Sequence, residues 1–225
     1  MPSALEAPCP LCHLANPASC TSQTSSYFHH DKQRIYLRCQ SCHLVYVPPQ
    51  YHLSFEEQKR VYDQHENHAE HTGYRHFLSR LLNPLLTRLP SSSSGLDFGC
   101  GPSPVLAGMI QSAGHHVTLY DPLYANNPAV LHAQYDFITA TEVIEHVFDP
   151  ARELNTLWNC LRPNGILALM TKLVKDQNAF TTWHYIRDIT HINFFSPETF
   201  QWLSQCWHTE CEFIGADVML FRKMA

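Results

Sequence analysis

Charge is scarce in this chain of 225 residues: Asp, Glu, Lys and Arg make up 16% of it, and 15 basic residues fall short of 20 acidic ones. The formal charge of -5 gives no electrostatic footprint for gripping a phosphate backbone, so nucleic acid is demoted as a partner unless a local basic patch exists. No apolar run approaches the ~20 residues that cross a bilayer, and no membrane partner is expected. The opening MPSALEAPCP has neither a basic start nor an apolar stretch, so it does not read as a signal peptide, and a cytoplasmic location is expected. Internal repeats and low-complexity blocks are also missing. The hydrophobic content of 44% and the length suit one ordinary domain with an appendage.

Cysteine and histidine, by contrast, are plentiful, with 9 and 16 copies. Without an export signal, cysteines are expected to bind metal or to sit buried as thiols. Four of them form two Cys-x-x-Cys turns, CPLC at 9–12 and CQSC at 39–42, with 26 residues between. Cys9, Cys12, Cys39 and Cys42 can present four thiolates tetrahedrally, as structural zinc requires, with a hairpin filling the spacer. Redox-active or ordinary thiols are the alternative reading, and iron a second metal. Cys20 reads as a bystander, while His13, Cys20 or His43 offers a substitute ligand. A closed four-cysteine site has no open coordination position, so its role is structural. A region this small and this poor in large apolar residues is not expected to fold without its metal.

Three regions follow one another: a zinc-ribbon-like module at 1–50, a helical connector or cap at 51–94, and an α/β domain at 95–225. In the first, RIYLRC and HLVYV are β-prone. In the second, FEEQKRVYDQHENHAEH and GYRHFLSRLLNPLLTRL read as helices, with Phe77, Leu78, Leu81, Leu82 and Leu85 on one apolar face. Pro84 is expected to kink or break the second helix, and PSSSSG at 90–95 to end it as a loop. After Gly95 the segments alternate. GLDFG, HVTLYD, YDFITATEVI and GILALMTKLV read as strands. PVLAGMIQSAG, PARELNTLWNCL and SPETFQWLSQCW read as helices, the last opened by Ser196, and CEFIGADVMLFRKM as a terminal hairpin. Alternation of this kind predicts a doubly wound, mostly parallel sheet.

Gly99 and Gly101 follow a strand ending in Asp97 and Phe98, where a tight turn lets the backbone approach a ligand. A glycine pair after a strand is weak evidence alone. Two features add to it. Asp121 ends the next strand twenty residues after Gly101, placed to accept hydrogen bonds from both hydroxyls of a ribose. Asp97 stands before the first glycine, where a carboxylate meets a cationic amino group or orients the loop. The third glycine position carries Ser103 between Pro102 and Pro104, which argues against a pyrophosphate and NAD. Cys100 reads as a small filler.

LDFGCGPSP, LYDP, YDFITATEVIEHVFDP and LRPNGILALMT, in that order, resemble the successive motifs of class I S-adenosylmethionine-dependent methyltransferases, including the small-molecule branch of the ubiquinone-biosynthesis type. The resemblance covers roughly 95–225 and implies a Rossmann-like sheet. It also implies that Asp97, Gly99 and Gly101 hold the methionine end of the cofactor, that Asp121 takes the ribose, and that 139–142, with Thr141 and Glu142, lines the methionine side. Only thirteen residues separate Asp121 from Tyr135, so the third strand and its helix are expected to be cut down or absent, and no residue is assigned to the adenine.

Methyl transfer needs an aligned acceptor, and a base only if the acceptor has a proton to lose. Glu145 and His146, just past the fourth strand, are candidates, His146 for its unperturbed pKa near neutrality. A helix-start imidazole and a capping carboxylate are the bland alternatives. WHYIRDITHINFFSPETF at 183–200 mixes Trp183, Tyr185, Asp188 and His191 as a wall for a small acceptor would, with Asp188 orienting His191 as a base. Packed aromatics, or a metal on His184, Asp188 and His191, are the other readings. Tyr62, His65, Asn67, Tyr74 and Arg75 belong to the helices that close over the cofactor in related enzymes, or to a solvated junction. The expected function is methyl transfer to a small or medium-sized acceptor at O, N or C. The alternatives are an RNA or protein methyltransferase docking through the ribbon, whose basic residues are Lys32, Arg34 and Arg38, and a non-catalytic interaction protein keeping the fold.

Overall fold

The computed structural model describes residues 7–12, 25–64 and 72–225. His65 and Asn67, late in the first predicted connector helix, and the possible ligands His13 and Cys20 fall outside these residues. The chain forms two compact units. One draws on Met1–Tyr62, Ile144–Asn155 and Lys172–Trp207, the other on Asp63–Val143, Thr156–Thr171 and His208–Ala225.

The second unit is built on a six-stranded sheet. Its strands are β4 (Ser94–Phe98), β5 (His116–Tyr120), β6 (Tyr135–Thr141), β7 (Leu161–Met170), β9 (Cys211–Ile214) and β10 (Val218–Arg222), in the order β5-β4-β6-β7-β10-β9. The first four are parallel and the last two antiparallel, so CEFIGADVMLFRKM is the hairpin predicted for it. Continuous burial along GLDF and FITA is what central parallel strands covered on both faces require.

Helix α2 (Thr72–Leu86) lays Leu78, Leu81, Leu82 and Leu85 against Val105, Leu106 and Ile110 of α3 (Val105–Ser112), together with Phe137, Ile166, Met170 and Leu220 of the sheet. Each such side chain contributes about 1.5–3 kcal/mol by leaving water. Pro84, expected to kink or break α2, lies inside it, and the helix ends two residues later at Leu86. Gly114 ends α3's turn at φ 89°, a left-handed C-terminal cap.

Between β5 and β6 the chain makes one isolated bridge, Asp121 with Ala125, and a short 3-10 turn at Pro128–His132. Among the described residues, β5 is therefore the edge of the sheet, and the strand and helix expected to be missing there are missing. The chain places β5 on one side of β4 and then β6 on the other. That reversal opens a crevice at the carboxyl ends of the strands, where open α/β sheets bind ligands.

The first unit carries a four-stranded antiparallel sheet, β1 (Ser25–His30), β2 (Ile35–Cys39), β3 (Val45–Tyr46) and β8 (Asn193–Phe194). Its fourth strand comes from far along the chain: Val45 pairs with Phe194 and Tyr46 with Asn193. Phe28, Tyr36, Val45, Phe180, Tyr185, Ile186, Ile192 and Phe194 form its core. Helix α1 (Phe55–Tyr62) starts with a capping box, the Glu57 amide donating to Ser54 Oγ while Glu57 Oε2 accepts from the Ser54 amide. Ser196 caps α6 (Pro197–Trp207) by accepting from the Thr199 amide at 3.2 Å. Between these lies α5 (Gln177–Thr181), and α4 (Pro150–Asn159) spans the boundary of the two units in sequence.

The turn between β1 and β2 holds a buried cation. Arg34 is 5% exposed. Its Nη1 donates to the carbonyls of Ile189 and His191 at 3.1 and 3.0 Å, and its Nη2 to those of Ile186 and Asp188 at 2.5 and 3.3 Å. Asp31, 3.6 Å from Nε, supplies the opposite charge.

Candidate functional site

In the second unit the predicted cofactor residues meet at the ends of β4, β5 and β6. Asp97 is the penultimate residue of β4, paired with Leu119 of β5 and Thr139 of β6. Its carboxylate is 4% exposed and accepts from Thr139 Oγ1 at 2.6 Å. Burial pushes its pKa up to about 6; the Thr139 hydrogen bond opposes this, and the Asp121 charge adds to it.

The turn then needs its glycines. Gly99, at φ 71°, would bring a Cβ within 2.4 Å of Val143 Cγ2. Gly101, at φ 64°, has open space where a Cβ would stand, leaving room for a ligand against the backbone. The amides of Gly99 and Cys100 both donate to Tyr120 O, tying the turn to β5. Burial pushes the Cys100 thiol up to about 12, as an unreactive filler would have it.

Asp121 holds this turn from the other side. Its Oδ2 accepts from the Gly101 amide at 3.0 Å, and its Oδ1 from the amides of Leu123 and Tyr124 at 2.8 and 3.1 Å. Three of the roughly four acceptor positions of a carboxylate are thus spent on backbone. Thr141 and Glu142 end β6. Thr141 Oγ1 is buried and has no hydrogen-bond partner among the described residues. Glu142 takes φ 54°, a left-handed conformation costing a non-glycine residue roughly 1–2 kcal/mol. Tyr74 faces the same carboxylates: burial first, then the charges of Asp97 and Glu142, push its phenol up.

Three features fit a cationic, hydroxyl-bearing nucleoside. They are a buried carboxylate, a glycine with open space before it and an orphaned hydroxyl. S-adenosylmethionine has those properties.

In the first unit the four paired cysteines converge. Cys9, Cys12, Cys39 and Cys42 are buried, with their sulfurs all within 4.8 Å of one another. Cys9 Sγ lies 3.5 Å from Cys42 Sγ, and Cys12 Sγ 3.3 Å from Cys39 Sγ. A tetrahedron with bonds of ~2.3 Å has edges of ~3.8 Å, so the cage has the right size for zinc. The Leu11 amide donates to Cys9 Sγ at 3.5 Å, and His43 takes φ 60° in the second turn. The His43 side chain faces Arg38 at 3.4 Å rather than completing the cage.

The same unit assembles the other predicted residues. Glu145, fully buried, His146 and His191 bring their ligand-capable atoms within 4.8 Å of one another. The backbone laces them together: Glu145 O accepts from the amides of Ile192 and Asn193, and Asn193 Nδ2 donates to Val147 O at 2.7 Å. The rings of His146 and His191 lie 4.6 Å apart, and Tyr62 packs edge-on to His146 at 5.4 Å.

Asp188 does not orient His191 through Nδ1, which instead meets Tyr185 O at 2.8 Å. Its Oδ2 stands 3.7 Å from His191 Nε2. Burial pulls the His191 pKa down to about 4 against the nearby Asp188 charge. For Asp188, burial works against ionisation, but hydrogen bonds from Thr190 and the nearby imidazole hold its carboxyl below the ordinary range.

Tyr185, read in the sequence as part of an acceptor wall, and Arg34, read as a basic ribbon residue, complete the cluster. The Tyr185 hydroxyl donates to Glu145 Oε1. Arg34 grips the carbonyls of the segment that bears His191, so one of the three basic ribbon residues is spent inside the protein. His184 does not join Asp188 and His191 in a metal grouping; it is turned to Lys172 Nζ at 2.8 Å.

A family model described as a methyltransferase domain matches residues 68–206, more than half of the chain. No curated protein is close enough in sequence to count as a relative. Among solved structures, the chain is similar to 1,6-didemethyltoxoflavin-N1-methyltransferase of Burkholderia thailandensis. The identity is 16% and the TM-score 0.50, over 89% of this chain and 100% of that one. It is also similar to a SAM-dependent methyltransferase of Thermotoga maritima, at 17% identity and TM-score 0.43 over 65% and 89%. A third is the magnesium protoporphyrin IX methyltransferase of Synechocystis, at 11% identity and TM-score 0.46 over 75% and 94%. With a Rossmann-like sheet carrying a buried carboxylate and a glycine turn at its switch point, and with the family match across the larger part of its length, the chain belongs to the methyltransferase-domain family and is an S-adenosylmethionine-dependent methyltransferase.

Proposed function

We propose that the turn after β4 holds the methionine half of S-adenosylmethionine and that the methyl group goes to an O, N or C nucleophile of a small or medium-sized molecule. The observation that carries this is the buried Asp97 beside a glycine turn with open space at Gly101. Asp97 pairs with the methionine ammonium, and Thr141 and Glu142 line the same end. Asp121 holds the turn in shape through the Gly101 amide and offers its remaining acceptor position to the ribose.

In the reaction the sulfonium–methyl bond breaks as the acceptor's nucleophilic atom bonds the methyl carbon. The bonding pair stays on sulfur, giving S-adenosylhomocysteine, and a protic acceptor loses one proton. Glu145, His146, His191 and Asp188 form the polar cluster that receives the acceptor and that proton. Cys9, Cys12, Cys39 and Cys42 hold one structural zinc in a closed site. The protein works in the cytoplasm. An RNA acceptor is less favoured, since Arg34 is buried among carbonyls and few basic residues remain near the cysteines.

Calorimetric titration of the metal-loaded protein with S-adenosylhomocysteine tests the cofactor assignment. Micromolar binding is expected, weakened at least about tenfold, or about 1.4 kcal/mol, in Asp121→Ala. No heat from folded protein would overturn the assignment. For the cysteines, metal analysis is expected to find about one zinc per chain that Cys39→Ser does not retain. Full zinc content in that variant would place the metal elsewhere.

A further inference from the structure

Apart from the four cysteines, one set of metal-capable side chains converges among the described residues: Glu145, His146 and His191. The hydrogen bonds around it carry more information than the proximity. His191 Nδ1 lies 2.8 Å from Tyr185 O, and His146 Nδ1 lies 3.3 Å from Thr190 O. A carbonyl only accepts, so each Nδ1 bears a hydrogen, and Nε2 is the ring nitrogen whose chemistry suits an ion. Histidines that ligate metals are fixed in this way, with one nitrogen donating to a carbonyl or carboxylate and the other left for the ion.

The carboxylates are held similarly. Tyr185 donates its hydroxyl to Glu145 Oε1, as an outer-shell partner orients a ligating carboxylate. Asp188 Oδ1 accepts from the Thr190 amide and hydroxyl at 2.8 and 2.6 Å. Its Oδ2 then stands 3.7 Å from Nε2 of His191. A cation bound at the Nε2 of a neutral His191 satisfies this carboxylate as a second ring proton would. The neighbouring cation Lys172 does not fill this role: its Nζ bonds His184 Nε2 at 2.8 Å and lies over the Tyr185 ring.

We infer that Glu145, His146 and His191, with Asp188 beside them, bind a divalent first-row transition-metal ion. Two imidazole nitrogens and carboxylate oxygens, with no thiolate, suit manganese, iron(II), cobalt or nickel, whereas the thiolate cage suits zinc. Three protein ligands leave coordination positions open, as in catalytic rather than structural sites. Assigning an open position to an acceptor oxygen, with Asp188 rather than a ligand taking the acceptor's proton, rests on the proposed function above; occupancy by the metal does not.

The test is therefore a binding measurement without turnover. Protein with zinc in its cysteine site is titrated with cobalt(II) and followed by visible absorption and metal analysis. About one further equivalent is expected, with the weak d–d bands of a nitrogen and oxygen site and no thiolate charge transfer, while the cysteine-bound zinc stays in place. His146→Ala, at the half-buried ligand, and Glu145→Gln are each expected to weaken cobalt binding at least about tenfold. Thermal unfolding checks that both variants are folded. In the unaltered protein, paramagnetic broadening of the His146 and His191 ring resonances locates the ion without a substitution.

No cobalt uptake, uptake with thiolate charge transfer, or uptake that leaves both ring resonances sharp would each overturn the site. Failure of S-adenosylhomocysteine to bind a protein that still takes cobalt would overturn the cofactor assignment and leave the metal site standing.

Discussion

Asp97→Asn is expected to make the cofactor-free protein more stable at pH 8 and, in the same variant, to weaken S-adenosylhomocysteine binding at least about 30-fold. The two effects share one cause. The Asp97 carboxyl sits at about 6 in the folded protein against an ordinary 3.8, because burial penalises its charge. Between those values the folded state holds a proton that the unfolded chain has released, so stability falls as pH rises through that window. Above about pH 6 the folded protein carries the full cost, about 3 kcal/mol for a shift of roughly two units.

Asparagine keeps the shape and an acceptor for Thr139 Oγ1 without the charge. Its stability advantage, read from denaturant unfolding, is therefore expected to shrink as pH is lowered from 8 toward 4. Binding responds oppositely. Loss of one partner from a buried charge pair costs about 2–5 kcal/mol. Wild-type affinity is also expected to fall as pH drops below about 6, where the carboxyl takes up its proton. An asparagine variant that binds normally would show that the ligand ammonium lies elsewhere.

Arg34→Ala is expected to cost at least about 3 kcal/mol, since each buried carbonyl left without a donor costs about 1–3 kcal/mol. Four carbonyls between Ile186 and His191 lose the guanidinium together, and Asp31 loses its counter-charge. Arg34→Lys is expected to recover only part of this, since an ammonium cannot reproduce the planar fork that reaches all four. Denaturant unfolding gives the magnitude. Hydrogen exchange tests the mechanism, with loss of protection expected at the Ile186 and His191 amides, which donate to carbonyls within the same segment. A variant of near-normal stability would show that water replaces the guanidinium at little cost.

Residues 95–225 are legible in the sequence because their signals are local. Short apolar runs bounded by turn residues mark β4 to β7, a helical run marks α3, and Gly99 and Gly101 sit where a strand must turn. Even the trimmed sheet edge follows from a length, the thirteen residues between Asp121 and Tyr135. The cysteine cluster is equally legible, since two short turns carry all four ligands.

What the sequence hides is what depends on distant pairing. β8 is two residues long and has no period of its own; it is a strand because β3 offers an edge to it. Arg34 reads as one more surface base until its carbonyl partners, more than 150 residues later, are in place. The Tyr185 bond to Glu145 has the same character. The bonds from the Leu123 and Tyr124 amides to Asp121 are the exception. An aspartate accepting from amides two and three residues on is a local turn signal, and DPLY carries it without help from the rest of the fold.

The pairing of β3 with β8 also bears on synthesis. The chain emerges from the ribosome amino end first, so both cysteine turns and the first three strands are available early. Tyr46 and Asn193 are 147 residues apart, a gap that takes roughly 7–30 s to translate at ~5–20 residues per second. Throughout that interval Val45 and Tyr46, both buried in the finished protein, lie on an open strand edge of the kind that recruits other chains. Nascent-chain aggregation should therefore depend on how fast the stretch between them is made. A fragment ending at residue 50 would carry that open edge permanently.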